Sequence, residues 1–310
     1  MNKDSKIYIA GHNGLVGSAL VKKLKEEGFL NIITRSSLEL NLVNQKEVED
    51  FFNNEKPDYV FLLAASVGGI IENREKPANF IYPNLLIESN IINSAWKSNV
   101  KKLIFLACSI IYPKECQQPL KEEYLLSGYP EPTNLAHTIA KIAGIVLCQS
   151  YNKQYKTNFI SCVASNIFGP NDNFDQTAGH VIPAFISKFH NAKINNEPSV
   201  TMWGTGKPLR DFIYVDDVVN ACLFLTEKYD SSEIINVGSG KDISIGELAE
   251  LIKEVTGYNG KIIFDTTKPD GAPKRLLDNS KISLLGWQLN VPLKEGLENT
   301  YNWWLNKFLK

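Results

Sequence analysis

Five short, unbroken apolar runs alternate with helical patterns through the first half of the chain, and this rhythm restricts the fold more than any other feature. Residues 6–10 (KIYIA), 31–34, 58–64 (DYVFLLA), 102–107 and 158–163 read as strands. Between them, residues 14–27, 45–53 and 84–96 show helical spacing of apolar side chains, as does a segment carrying His137 and Lys141 that runs to about Gln154. Strands apolar on both faces belong to a parallel sheet covered by helices on both sides. Such sheets bind ligands at the carboxyl ends of their strands, near the point where strand order reverses. The chemistry is therefore expected just after Ala10, Thr34, Ala64, Ala107 and Val163.

Beyond about residue 166 the rhythm loosens. Strands are expected at 199–203, 212–214, 234–237 and 261–264, with helices at 216–226, 245–256 and 293–308. Pro and Gly punctuate the connections (GPNDNF, WGTGKP, SGKD, KPDGAP). The fold expected is α/β: a Rossmann-type doubly wound parallel sheet over residues 1–166, with a smaller C-terminal substrate-binding α/β domain over 167–310. A segment near 205–240 is expected to return to the first domain.

The 310 residues, 44% hydrophobic and 22% charged, suit an ordinary globular protein. A net charge of −1 gives no electrostatic case for nucleic acid or an anionic membrane. The cysteines Cys108, Cys116, Cys148, Cys162 and Cys222 are odd in number and show no metal-binding spacing, so no metal is expected and a reducing compartment is. The polar start MNKDSK lacks the apolar region of a secretory leader, and no run reaches the length of a membrane span. The expected location is the cytoplasm.

The first strand ends in Gly11-His12-Asn13-Gly14-Leu15-Val16-Gly17. Glycines so spaced between a strand and a helix allow a tight turn, close approach of the backbone to a pyrophosphate, and close helix packing. The helix N-terminus adds amide donors and a positive dipole end. After the second strand, Arg35 stands where an acidic residue would bind the ribose of NAD, and its cation suits the 2′-phosphate of NADP. Ser36 and Ser37 follow it, and Asn41 and Leu42 lie at a suitable distance for the adenine. Small residues Ala64 and Ala65 after the third strand let the chain pass close beneath a cofactor. His137 and Lys141, four apart, share one helical face, with turn and N-cap chemistry in Pro132, Thr133 and Asn134.

Several motifs together resemble the GDP-L-fucose synthases, a family of extended short-chain dehydrogenase/reductases. They are the glycine turn, LAASVGGI (63–70), IYPK (111–114), EPTN…IAKIAG (131–144), GPNDNF (169–174), HVIPA (180–184), RDFIYVDD (210–217) and KPDGAPKRLLD (268–278). The resemblance covers nearly the whole chain. It implies an NADP(H)-dependent enzyme acting on a GDP-linked 4-keto-6-deoxy sugar, epimerising C3 and C5 and reducing C4. It also implies a homodimer joined through a four-helix interface. By the same resemblance Ser165, Asn166 and His180 lie at the cofactor. Trp203, Arg210, Asp270 and Lys188 (an Arg in the family) lie at the nucleotide sugar.

The chain departs from this family where the chemistry is done. The family's reductase centre is a Ser/Thr, a Tyr and a Lys. Lys141 is kept, but His137 holds the Tyr position and Cys108 the Ser position, with Ser109 adjacent. A thiol is the weaker hydrogen-bond donor. His137 is either the proton donor as an imidazolium, with Lys141 depressing its pKa, or a positioning group, or a relic. A water or Tyr112 is the other proton source open to the site. The family's epimerase Cys is replaced by Ile110, which cannot take a proton from carbon, whereas its partner His180 remains. Cys108, two positions before Ile110, is expected on the same side of an extended strand. His180 either orients substrate or keeps part of an acid/base role. The function expected is C4 reduction of a GDP-4-keto-6-deoxy sugar, a deoxyheptose or deoxyhexose of capsule or lipopolysaccharide, without C3/C5 epimerisation. The alternatives are a bifunctional epimerase/reductase, an epimerase without net redox, and a non-catalytic nucleotide-sugar-binding homologue.

Overall fold

The computed structural model describes residues 1–68, 70–176, 179–268 and 270–308. Gly69 of the LAASVGGI motif and Pro269 of the KPDGAP motif lie outside them. The alternating half of the chain folds as β1 (Lys6–Ala10), α1 (Leu15–Glu26), β2 (Asn31–Ile33), α2 (Gln45–Glu55), β3 (Tyr59–Leu62), α3 (Ile70–Glu75), α4 (Ala78–Lys97), β4 (Lys102–Cys108), α5 (Leu135–Tyr155) and β5 (Phe159–Ala164). The later half adds β6 (Asn166–Phe168), α6 (Val181–Ile194), β7 (Ser199–Trp203), β8 (Leu209–Tyr214), α7 (Val215–Lys228), β9 (Ile235–Val237), β10 (Asp242–Ser244), α8 (Ile245–Thr256), β11 (Lys261–Asp265), β12 (Lys274–Arg275), α9 (Ser280–Leu284) and α10 (Leu293–Phe308).

The main sheet is six-stranded, in the order β2-β1-β3-β4-β5-β9, and every pairing is parallel. Both faces are covered, because alternate residues of the strands feed two separate cores. Ile7, Ile9 and Phe61 pack toward α1 and α7, whereas Tyr8, Val60, Leu62 and Phe105 pack toward α2, α4 and α5. Strand order reverses between β1 and β3, so the carboxyl ends of these two strands form the crevice. β9 comes from late in the chain, and its pairing with β5 closes the sheet. Two smaller sheets stand beyond it. β8 carries β10, β12 and β6, and β7 pairs in parallel with β11.

Two prolines hid helices from the sequence pattern. The spacing predicts a helix from residue 84, just past Pro83, but α4 begins at Ala78 and runs through that proline. Pro83 removes the bond that would close on the carbonyl of Asn79. Ser66 Oγ donates to that carbonyl at 3.1 Å instead. The Asn84 side chain then holds the Ser66 amide at 2.7 Å and its carbonyl at 2.9 Å, which ties the loop after β3 to α4. α6 was not foreseen either. Its Pro183 falls in the first turn, where a missing N–H costs nothing. The turn before α5 is a 3₁₀ turn over Pro132–Asn134, but no side chain caps the helix, contrary to the expected N-cap.

Candidate active site

At the carboxyl end of β1, Gly11 has φ +90°, and a Cβ there would lie 2.7 Å from the Ala64 amide nitrogen. A Cβ on Gly17 would lie 2.1 Å from the Gly11 carbonyl oxygen. The protein's own packing therefore dictates both glycines, and it sets Ala64 directly against the turn. Gly14 differs. It is exposed, its backbone is extended, and a Cβ would meet only the Gly11 oxygen, at 3.5 Å. The surface it leaves bare is open to a ligand. No side chain caps α1 and its first turn carries no acid, so the amides of Leu15, Val16 and Gly17 lack intrahelical partners and the positive dipole end is left uncompensated. Asn13 is exposed beside them. These residues fit the pyrophosphate of a dinucleotide.

The adenosine side is more committed than the sequence implies. Arg35 pairs with Glu55, donates to the Thr34 carbonyl at 2.8 Å and lies over the Phe51 ring. Glu39 accepts from both the amide and the hydroxyl of Ser36, each at 2.7 Å. An anion arriving at Arg35 has Glu39 and Glu55 as competitors. Asn41 and Leu42 are held in place. Asn41 accepts from the Val43 amide at 3.1 Å, and the Leu42 carbonyl accepts from buried Asn90 of α4 at 2.9 Å. Ser165 is buried with its amide on the Val237 carbonyl, and Asn166 donates to the Asp211 carbonyl at 2.8 Å.

The reductase positions come together where β4 ends against α5. Lys141 is 4% exposed, with Nζ 3.1 Å from Glu88 Oε1, 3.3 Å from the Leu106 carbonyl and 4.7 Å above the Phe105 ring. His137 is 7% exposed, and its Nε2 lies 4.0 Å from Cys108 Sγ. Burial, and then the Lys141 ammonium, push the His137 pKa down to about 4, with the Ser66 main chain opposing. The direction is the one the sequence suggested, but burial is the larger cause. At neutral pH the ring is uncharged, so an imidazolium donor is not the resting state. Burial raises the Cys108 thiol, and Lys141 opposes that rise.

Tyr112 is removed as a proton source. Its ring is completely buried and its hydroxyl donates to Asn236 of β9 at 2.5 Å. The strand geometry expected around residue 110 also fails. β4 stops at Cys108, and Ser109–Ile111 turn into a 3₁₀ helix, so strand alternation does not place Ile110 on the side of Cys108. Ser109 is buried, and its carbonyl accepts from Arg275 at 3.2 Å.

His180 sits at the start of α6, 3.4 Å from Asp172 Oδ1, which raises its pKa. More than half of its side chain is open to solvent although protein surrounds it, as in a residue lining an open cleft. It is close enough to His137 to add slightly to the lowering of that pKa. Lys188 of α6 donates to the Thr201 carbonyl. Trp203, at the end of β7, is 62% exposed. Arg210 of β8 donates to the Ala272 carbonyl at 2.6 Å, and Asp270 accepts from the amide and hydroxyl of Thr205 at 2.9 and 2.7 Å. The four thus gather around the β7–β8 connection, three of them held by main-chain bonds. Arg210 and Asp270 also interact electrostatically. No group of His, Cys, Asp and Glu among the described residues is arranged for a metal, and no described helix is long and apolar enough to cross a membrane.

Two residues of this site were missed from sequence. Arg275 lies beside Arg210, Cys108 and Glu131, and donates to the Ser109 and Tyr112 carbonyls. Glu88 lies behind Lys141. Its signal was legible as a lone acid within the apolar helical run NLLIESNII.

The model for the NAD dependent epimerase/dehydratase family matches residues 7–238. The chain belongs to that family. Within this epimerase/dehydratase family it is 51% identical over 304 residues to GDP-L-fucose synthase 1 of Arabidopsis thaliana, covering 98% of this chain and 94% of that protein. Among solved structures it is similar to a GDP-6-OMe-4-keto-L-xylo-heptose reductase from Campylobacter jejuni (TM-score 0.94, 39% identity, 99% of each chain). It is also similar to a GDP-mannoheptose C4 reductase from Campylobacter jejuni with NADP bound (TM-score 0.91, 41% identity, 98% of this chain and 99% of that one). The Rossmann-type α/β fold expected from the apolar rhythm is thus the fold of this oxidoreductase family, and the chain is a homologue of the GDP-L-fucose synthases.

Proposed function

We propose that the protein is an NADP(H)-dependent C4-reductase of a GDP-linked 4-keto-6-deoxy sugar and lacks C3/C5 epimerisation. One observation carries the reading: the glycine turn and Lys141 are in place, whereas the family's epimerase thiol is the aliphatic Ile110. The similarity to two GDP-heptose reductases, one with NADP bound, supports the cofactor and, of the deoxyheptose and deoxyhexose alternatives, favours the heptose. Residues 1–166, with the returning segment 205–240, hold the cofactor in this reading. The remainder of 167–310 holds the nucleotide sugar.

Bound NADPH supplies the hydride. Lys141 holds the nicotinamide ribose. Arg210 and Lys188 suit a diphosphate. Trp203 offers an exposed ring and Asp270 an acceptor for the nucleotide sugar. The proton for the C4 oxygen comes from the Cys108–His137 pair, which stands where the family has Ser and Tyr. A neutral imidazole has one donor and one acceptor nitrogen. With Nε2 unprotonated the imidazole accepts from the thiol at rest; when the single S–H turns to the C4 oxygen its proton passes to the alkoxide, leaving a thiolate beside His137 and Lys141 that a proton from water restores. An alkoxide is basic enough to take a proton from a thiol. His180, paired with Asp172, orients the sugar from the open side of the cleft. The exposed Ile139 and Val146, seven apart on α5, suit the helix-to-helix contact of a homodimer.

The test is turnover of the 4-keto sugar with NADPH in deuterated water. Reduced product without deuterium at C3 or C5 is expected. Deuterium at either carbon, with no other enzyme present, overturns the reading in favour of a bifunctional enzyme. Absence of NADPH consumption across a panel of GDP-4-keto sugars favours a non-catalytic binding homologue.

A further inference from the structure

Glu88 lies in the middle of α4 and is 2% exposed. A buried carboxylate ordinarily collects several hydrogen bonds, because desolvation is costly. Among the described residues no donor other than Lys141 reaches either oxygen. Its partner is the Lys141 ammonium, 3.1 Å from Oε1. Burial pushes the carboxyl above its usual range, and Lys141 opposes that shift.

The space for this carboxylate is made by a glycine. A Cβ on Gly144 of α5 would lie 2.7 Å from Glu88 Oε2 and 2.6 Å from the Phe105 ring. Gly144 is buried inside a helix, where glycine costs about 1 kcal/mol relative to alanine. It stands one turn beyond Lys141 on the same face. The helix keeps a destabilising residue at a place where a methyl group would crowd both the carboxylate and the Phe105 ring.

Lys141 has three N–H donors. The Leu106 carbonyl and Glu88 take two directions, and the Phe105 ring closes a third side. The ammonium is thus held on three sides. The titratable groups within electrostatic reach of the pair are Cys108, His137 and Cys148.

We infer that Glu88 is a positioning residue: its carboxylate, seated in the space left by Gly144, fixes Lys141 in place and keeps it charged for the cofactor. The inference rests on the reductase reading for the use made of Lys141, but its test reads binding alone. NADPH affinity is measured by fluorescence titration between pH 7 and 9 on the intact protein. Wild type is expected to be flat over that range. Glu88→Gln is expected to bind about tenfold more weakly at pH 7.5 and more weakly still at pH 9, because a buried ammonium without its counter-charge deprotonates more readily. Glu88→Asp keeps the charge and is expected to restore the flat profile. Gly144→Ala, which alters no charge, is expected to reproduce the loss and decides the matter where Glu88→Gln does not fold. Unchanged affinity in Glu88→Gln, or a loss that does not vary with pH, overturns the inference. A wild type that binds NADPH with these variant effects but never reduces a ketone removes the reductase reading and leaves Glu88 in its role.

Discussion

The two ends of this site have been treated differently. At the end of β1 the requirements are made by backbone. Gly11 and Gly17 face the Ala64 amide and the Gly11 carbonyl at distances that admit no side chain. At the end of β4 the requirements are made by side chains. There, on the proposed reading, Cys108, Ile110 and His137 take the positions of the family's Ser, Cys and Tyr, between the end of β4 and the helix α5 that carries Lys141. A backbone that must pass another backbone has one solution. A side chain pointing into a cleft can be exchanged without moving the frame, so the chemistry changes before the binding geometry does.

The largest effect that would break this contrast is at the backbone end. Gly17→Ala is expected to weaken NADPH binding at least about 100-fold and to lower Tm, since a 2.1 Å approach forces the turn apart. Titration and thermal melting check this, and an alanine accommodated without loss would put both ends on the same footing. At the side-chain end, His137→Ala is expected to lower kcat by about 10²-fold with NADPH affinity unchanged. An unchanged rate would make His137 a relic.

A smaller effect concerns stability. The folded pKa of His137 lies at about 4, below its ordinary 6.5, so the unfolded chain binds a proton that the folded chain refuses. The stability this gives is complete above about pH 6.5 and is lost as pH falls through about 4. Tm measured over that window should fall by several degrees more in wild type than in His137→Asn. The smallest expected change is in the rate itself. A neutral donor predicts a kcat that stays flat between about pH 6 and 8. A fall centred near 6.5 would restore the imidazolium.

Most of the frame could be read from the chain. The strands 6–10, 199–203 and the helices 245–256 and 293–308 fall where the pattern puts them, because each is a clean apolar run or stripe. The elements missed were governed by something distant. α4 runs through Pro83, and Ser66 from the loop after β3 takes the carbonyl the proline leaves unpaired. β6, β10 and β12 are two or three residues long and exist through their pairing with β8. In the site, the alignment of His137, Lys141 and Cys108 was legible from motif positions. The burial of Tyr112 and the turn at Ser109–Ile111 were not, since neither leaves a periodic trace.

By itself, then, the sequence determined the parallel sheet and the glycine turn at its crevice, because apolar periodicity and glycine spacing are local properties. The tertiary structure decided the charge on His137, its contact with Cys108 and the pairing of Lys141 with Glu88. Those depend on how much water and how much opposite charge surround each group, and here α4, β4 and α5 supply both from positions far apart in the chain.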